Sequence, residues 1–523
     1  MKSELREGQE AGSRSNVDAC EGDYDGFEQI LLDGRDDPEL PLLGAGAVSS
    51  PGSHGSAHLE VEGQPLEVHA MSLAERVYTV VIFTLTACML YADQNLMAPN
   101  LTAIARDFGF NDQQRDTYLG GYIAAAFFAM GAPSALVIGY LSDRVNRRHL
   151  LFSIVLLGEG PCLATFFVTR YWQLLLLRML TSISIGGALP LVCSLAGDLF
   201  FVRQRPGVLA CVQVATACGL VLGQAVAGFV GSAWGWRWPF VLVALPALGV
   251  AAIMLVTTRE PPRGGTEAAL SKAYASGEFQ YAERISLRKA AALGRTRSNL
   301  AVVLQGLPGS LPWGVLITFL NDFLSQQKGL TVPQATVVVI VAGSGGAVGV
   351  LGGGFLGQQL HAVWRPAMPL FTGACVMAAS FPVWAIINSR LYGAGAMPAF
   401  MALGFAGAML ASPPGPNARG IILNVNEPEV RGVAMAMQTV LDDLGKGLGL
   451  YVLALMISAW GRETAFNVAI AGWLPCGLIF ACAALTLGRD EDAMQERLRR
   501  RVAGTPGVAP LADAPGGWSL VTV

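Results

Sequence analysis

A chain of 523 residues that is 53% hydrophobic and 14% charged, with a mean hydropathy of +0.47, carries little more than half the charge usual for a soluble domain. It has too few polar side chains to cover a water-facing surface, which excludes a string of soluble domains and points to a bilayer. The net charge of −3 decides nothing, because in membrane proteins the placement of charge matters more than its sum.

Residues 1–72 are polar, acidic and rich in Gly and Ser, with no helical or strand period. That composition predicts a disordered cytosolic tail, and the basic, apolar and cleavage regions of a signal peptide are missing. Apolar runs follow at 77–98, 118–140, 149–169, 172–196, 206–231 and 239–257, then at 300–323, 335–357, 366–388, 396–413, 433–459 and 464–487. Each is near the ~20 residues a helix needs to cross ~30 Å of hydrocarbon, and too long and unbroken for a barrel strand.

The predicted fold is therefore all-α, an integral membrane protein of twelve transmembrane helices. Its expected parts are a six-helix half at 73–257, a cytosolic linker at 258–299, a second six-helix half at 300–488 and a cytosolic tail at 489–523. Within the linker, the segment from Glu278 to Leu293 fits a surface helix or a plain solvated connection. Placing both termini in the cytosol puts Arg144, Arg147, Arg148, Arg203, Arg205, Arg365, Arg419 and Arg431 inside, together with the basic linker and C-terminal tail. Only Arg106, Arg115, Arg170, Arg237, Lys328, Arg390 and Arg462 remain outside, the bias expected of inner loops.

Five features carry chemistry. Gly139, Asp143, Arg144, Arg147 and Arg148 crowd the short inner loop between the second and third helices, where an acid and three arginines suit a gate; setting topology is the plainer reading. Asp93 in the first helix and Arg178 in the fourth each lie about five residues, ~7–8 Å, outward of their helix centres. Equal depth and opposite charge predict partners across a shared path, with a purely structural salt bridge as the competing reading. Asp442, Asp443 and Lys446 share one face of the eleventh helix and read either as cavity wall and proton path or as a self-neutralised cluster. Gly306, Pro308, Gly309 and Pro312 predict a break near the middle of the seventh helix, a hinge candidate. Glycines at 219, 223 and 228 and at 349, 353 and 357 predict close helix packing. Two other acids read as lying outside any site: Glu159 in the third helix as a protonated or water-contacting structural residue, and Asp322, with Asn321 at the outer end of the seventh, as interfacial.

Nothing here suits an enzyme. Of five histidines, His54, His58 and His69 lie in the N-terminal tail, and no phosphate-binding GxxxxGK[ST] loop occurs. No cofactor, metal or nucleic acid is expected, and a monomer is. The cysteines read as small apolar packing residues.

The loop from Gly139 to Arg148 resembles the signature of the major facilitator superfamily, with Asn146 where that family usually has Gly. The resemblance implies two six-helix halves around a central cavity and alternating access by rocking. The second-half counterpart, from Gly353 to His361, lacks the acid, which predicts weaker gating charge there. Asp93, the triplet Gly131-Ala132-Pro133, Arg178 with Asp198-Leu199-Phe200, and the Gly306–Gly314 stretch resemble the Spinster group, whose members are regarded as sphingolipid and lysophospholipid transporters. Two departures stand out. Ile185 occupies the place, seven residues after the helix-four arginine, where that group commonly has an acid, and Gln94 replaces the basic residue after the helix-one Asp. The implied function is secondary transport of an amphipathic or organic anion such as a lysophospholipid, with protons as candidate coupling ion. Transport of another small organic solute and a non-transporting receptor of the same fold stay open, as do the plasma and endolysosomal membranes.

Overall fold

The computed structural model describes residues 72–142, 145–200, 205–260, 293–294, 296–426 and 430–503, and every regular element among them is helical. The expected N-terminal tail, most of the linker, the last twenty residues and the loop residues Asp143 and Arg144 lie outside the described residues. We call the end that carries the start of the first helix, predicted cytosolic, the inner end.

The long helices are α1 (Leu73–Gln94), α2 (Ile123–Ser142), α3 (Arg147–Ala164), α4 (Tyr171–Leu199), α5 (Arg205–Trp234) and α6 (Trp238–Thr257). After the linker come α7 (Gly306–Gln326, led by Arg297–Leu304), α8 (Val332–Val363) and α9 (Ala367–Asn388). The last are α10 (Met397–Ala411, continued by Pro414–Val425), α11 (Arg431–Trp460) and α12 (Arg462–Ile470 with Trp473–Ala483). Eleven helical segments among the described residues are long and apolar enough to cross a membrane; α11, with Asp442, Asp443 and Lys446 near its middle, is not one of them.

Local sequence sets the ends. The Ser72 Oγ accepts from the Glu75 amide (3.2 Å) while Glu75 accepts from the Ser72 amide (2.9 Å), a capping box that starts α1. Asn146, the departure noted above, caps α3 by accepting from the His149 amide (3.1 Å), a role glycine's missing side chain could not fill. The seventh helix is not broken at its middle: Gly306 to Gln326 is continuous, Pro312 included, and the irregularity falls at Gln305, which itself keeps helical angles (φ −60°, ψ −24°). Pro308 has no N–H to give the Leu304 carbonyl, so the interruption falls one turn before the prolines.

Helix contacts repeat along the chain. The pairs α1–α5, α2–α4, α3–α4 and α3–α6 recur six helices later as α7–α11, α8–α10, α9–α10 and α9–α12, and the two sets meet through α2–α11 and α5–α8. Glycines make the crossings. An added Cβ on Gly223 or Gly219 of α5 would strike the Ala92 or Cys88 carbonyl of α1, and one on Gly349 of α8 the Met409 carbonyl of α10. At the start of the expected C-terminal tail the chain forms a further helix, α13 (Leu487–Ala503), docked by the Ser298 amide on Asp490 Oδ2 (2.9 Å).

Candidate functional site

Asp93 sits in the last turn of α1, fully buried, because Gly223 lets α5 lie directly against the Ala92 backbone. Arg178 of α4 donates from Nη1 to Asp93 Oδ1 (2.7 Å) and from Nη2 to the Asp93 carbonyl (3.2 Å), and the Cys162 thiol of α3 donates to the same Oδ1 (3.1 Å). The guanidinium also lies over the rings of Phe127 (5.4 Å) and Phe240 (5.9 Å). At 0% and 2% exposure, the two side chains are enclosed rather than open to a path, so any solute reaches them only after the helices move.

Glu159 of α3 joins this cluster, which its sequence context did not reveal. It is fully buried, neither of its oxygens has a hydrogen-bond partner, and carboxylate oxygens of Asp93 and Glu159 and the Cys162 sulfur lie within 4.8 Å of one another.

Among the described residues no hydrogen bond or ion pair joins Asp442, Asp443 or Lys446 to that pair. Lys446 Nζ bonds Asp443 Oδ1 at 3.2 Å, and the two side chains are 25% and 21% exposed. Asp442 faces α7 instead, over Gly306, where an added Cβ would collide with its Oδ1. Asp443, Cys193 of α4 and Arg419 of α10 all lie close enough to Tyr91 of α1 to act on it electrostatically. Arg419, read from sequence only as an orientation signal, is exposed.

In the signature loop, Ser142 Oγ donates to the Gly139 carbonyl (2.6 Å), the buried Arg147 donates to the Ser142 carbonyl (3.4 Å), and Arg148 donates to the Thr258 carbonyl beyond α6 (2.6 Å). Its second-half counterpart recovers acids from elsewhere in the chain. Arg365 pairs with Asp492 (2.6 Å) and Glu491 (3.5 Å), and His361 with Glu491 (3.2 Å), all reached from α13. The hydrogen bond to Asp492 strengthens the hold of Arg365 on its proton. The charge missing from the local motif is present in space.

The outer end holds a second buried network. Just before α2, a π-helical stretch (Arg115–Tyr122) presents Arg115 and Asp116. Arg462, opening α12, makes two 2.9 Å bonds to Asp116 and one of 2.5 Å to Asp322 at the outer end of α7. Arg115 bonds Asp116 (2.9 Å) and faces Asp322 (3.6 Å), while Thr102 donates to Asp322 (2.5 Å). All four charged side chains are at most 6% exposed. Asp322 is therefore no interfacial residue, and Arg115 and Arg462 do more than orient loops. Beside them Tyr122 stacks on Tyr451 of α11, ring centres 5.8 Å apart.

Comparison with known proteins agrees with this architecture. Residues 83–417 match the family model of the Major Facilitator Superfamily. Protein spinster homolog 1 of Rattus norvegicus is 30% identical over 250 residues, 45% of this chain and 45% of that protein, so the match spans about half the length of this relative. Protein spinster homolog 3 of Homo sapiens is 26% identical over 420 residues, 74% of this chain and 79% of that protein. A crystal structure of a bacterial homolog to the human lysosomal transporter Spinster, inward-facing and unoccupied, has a TM-score of 0.69 at 19% identity, covering 80% of this chain and 99% of the other. The xylose transporter XylE from E. coli, inward open, has a TM-score of 0.62 at 15% identity, covering 80% and 99%. This multi-pass membrane chain belongs to the major facilitator superfamily, a family of transporters rather than enzymes, and within it resembles the Spinster proteins.

Proposed function

We propose that this chain is a secondary transporter that moves an amphipathic organic anion, such as a lysophospholipid or sphingolipid, by alternating access coupled to protons. In this reading α11 is the twelfth span, its charges tolerated because they face the bundle interior. Residues 73–257 and 300–488 are then two six-helix halves, supported by the contact pattern that recurs six helices later. Both termini lie in the cytosol, and the monomer is the working unit.

The observation that carries the proposal is one-sided access. Toward the outer end, Asp116, Arg462 and Asp322 join the two helix sets in a buried ionic seam, while Asp443, Lys446 and Arg419 remain partly exposed. That is the arrangement of an inward-facing carrier. The anionic headgroup meets Lys446 and Arg419 first. Asp93 and Arg178 respond by exchanging their ion pair for contacts with substrate and proton, since the guanidinium keeps its charge throughout and only the carboxylate can accept a proton. Arg147 and Arg148 of the signature loop and the Arg365–Asp492 contact brace the inner ends, and Gly306, Pro308, Gly309 and Pro312 serve as the hinge of α7.

The test is a panel of lysophospholipids, sphingoid phosphates and small organic anions in proteoliposomes, with and without a pH gradient. Saturable flux of one class, stimulated by the gradient and weakened in Asp93→Asn and Arg178→Ala variants, is the expected result. Flux indifferent to the gradient removes the proton, and no flux of any class removes the transporter.

A further inference from the structure

We infer that Glu159 is a second proton-binding residue of the Asp93–Arg178 cluster, and that one proton passes between the two carboxyl groups while Arg178 pairs with whichever is ionised. The helix-four position seven residues after the arginine holds an apolar residue, Ile185. The acid absent there is supplied from α3 in space.

Charge arithmetic and orphaned atoms carry the argument. Among the described residues Arg178 is the cluster's single cation, and it faces two fully buried acids. Both ionised would leave one uncompensated negative charge at membrane depth, which costs several kcal/mol or more, and two adjacent carboxyls resolve that by sharing a proton. With Arg178 on Asp93 (2.7 Å), the proton belongs to Glu159. The groups facing Glu159 are Asp93 from α1, Arg178 from α4 and Cys162 from its own helix; α2 and α6 contribute Phe127 and Phe240 around the guanidinium. Among the buried atoms without a hydrogen-bond partner are both Glu159 oxygens, Asp93 Oδ2 and Arg178 Nε. These are the atoms the alternative arrangement needs. When Arg178 turns to Glu159, the Glu159 O–H breaks, its proton goes to Asp93 Oδ2, and the guanidinium binds the new Glu159 carboxylate. Charge and proton number are unchanged by the swap. Net release or uptake occurs only when a substrate anion takes Arg178 from both acids.

Proton binding by Glu159 stands on geometry alone; its use in coupling rests on the transport reading. The experiment therefore has two readouts on the full chain in lipid nanodiscs and liposomes. Infrared spectroscopy at neutral pH should show a protonated carboxyl band that disappears in Glu159→Gln and persists in Asp442→Asn. The same Glu159→Gln protein should lose accumulation driven by a pH gradient by a larger factor than it loses substrate exchange at equal pH. A folded Glu159→Gln protein with the band intact overturns the inference, as does a wild-type band that sodium or a divalent cation abolishes at constant pH. If no substrate moves under any condition while the band behaves as stated, transport fails and proton binding stands.

Discussion

Two buried ionic clusters, one at the outer end and one inside the first six helices, differ in their charge count. The outer network sets Arg115 and Arg462 against Asp116 and Asp322, and ties residues 102–116 to α7 and α12. The inner cluster sets Arg178 alone against Asp93 and Glu159, within α1, α3 and α4. A balanced network has one low-energy charge state and works as a latch between helix sets. A cluster with one acid too many must bind a proton, and changes state when its cation is drawn away. Burial alone does not separate latch from switch; the spare acid does.

The sharpest way to break this comparison is to remove one acid from each cluster. Asp116→Asn leaves two buried arginines sharing Asp322, and among the described residues the other acid paired with them is Asp112, which is 92% exposed. Removing one partner of a buried pair costs about 3–5 kcal/mol, so thermal unfolding in detergent should show a loss of that size. A loss below about 1 kcal/mol would mean the outer network is no latch.

In the inner cluster the same change should be mild. Asp93→Asn leaves Glu159 free to give up its proton and bind Arg178, so the expected loss is about 1 kcal/mol. Adding Glu159→Gln removes the last acid, and the double variant should then fall by about 3 kcal/mol or more beyond the sum of the single losses. Additive losses in that cycle would show that the two acids do not substitute for each other.

The sequence made some of this legible and hid the rest for physical reasons. Run lengths gave eleven of the twelve expected spans because hydrocarbon thickness fixes helix length, and equal depth along two helices was enough to pair Asp93 with Arg178. Rotation about the helix axis was not readable. A helix apolar all round has no polar face to orient it, so Glu159 carried no sign that it points at Asp93 rather than elsewhere. The outer network joins residues up to 346 positions apart, and nothing local to Asp322 or Arg462 announces the other. The docked α13 was missed because its acids complete a loop more than a hundred residues earlier.

Packing beneath the inner cluster offers a finer probe. Gly223 carries the α5 backbone onto Ala92, the residue before Asp93, and an added Cβ would lie far inside contact distance of the Ala92 carbonyl. Gly223→Ala must push the helices apart, at a cost of about 1–3 kcal/mol, and in doing so it shifts Asp93 relative to Arg178. Gly249, whose added Cβ meets open space, serves as the control: Gly249→Ala should leave stability unchanged or raise it slightly. Equal effects at both positions would mean that the crossing does not position the acid.

The smallest structural effect is expected at the third charged group, which tests whether exposure separates a binding surface from a latch. Lys446 and Asp443 are 25% and 21% exposed, and their contact spans three residues of one helix. Pairs of that kind contribute about 0–1 kcal/mol, so Lys446→Met should barely move thermal stability. Its cost should appear in affinity for an anionic substrate, by about tenfold or ~1.4 kcal/mol. A stability loss above about 2 kcal/mol with affinity intact would put Lys446 in the same class as Arg462, and the one-sided opening that the transport proposal depends on would lose its cationic wall.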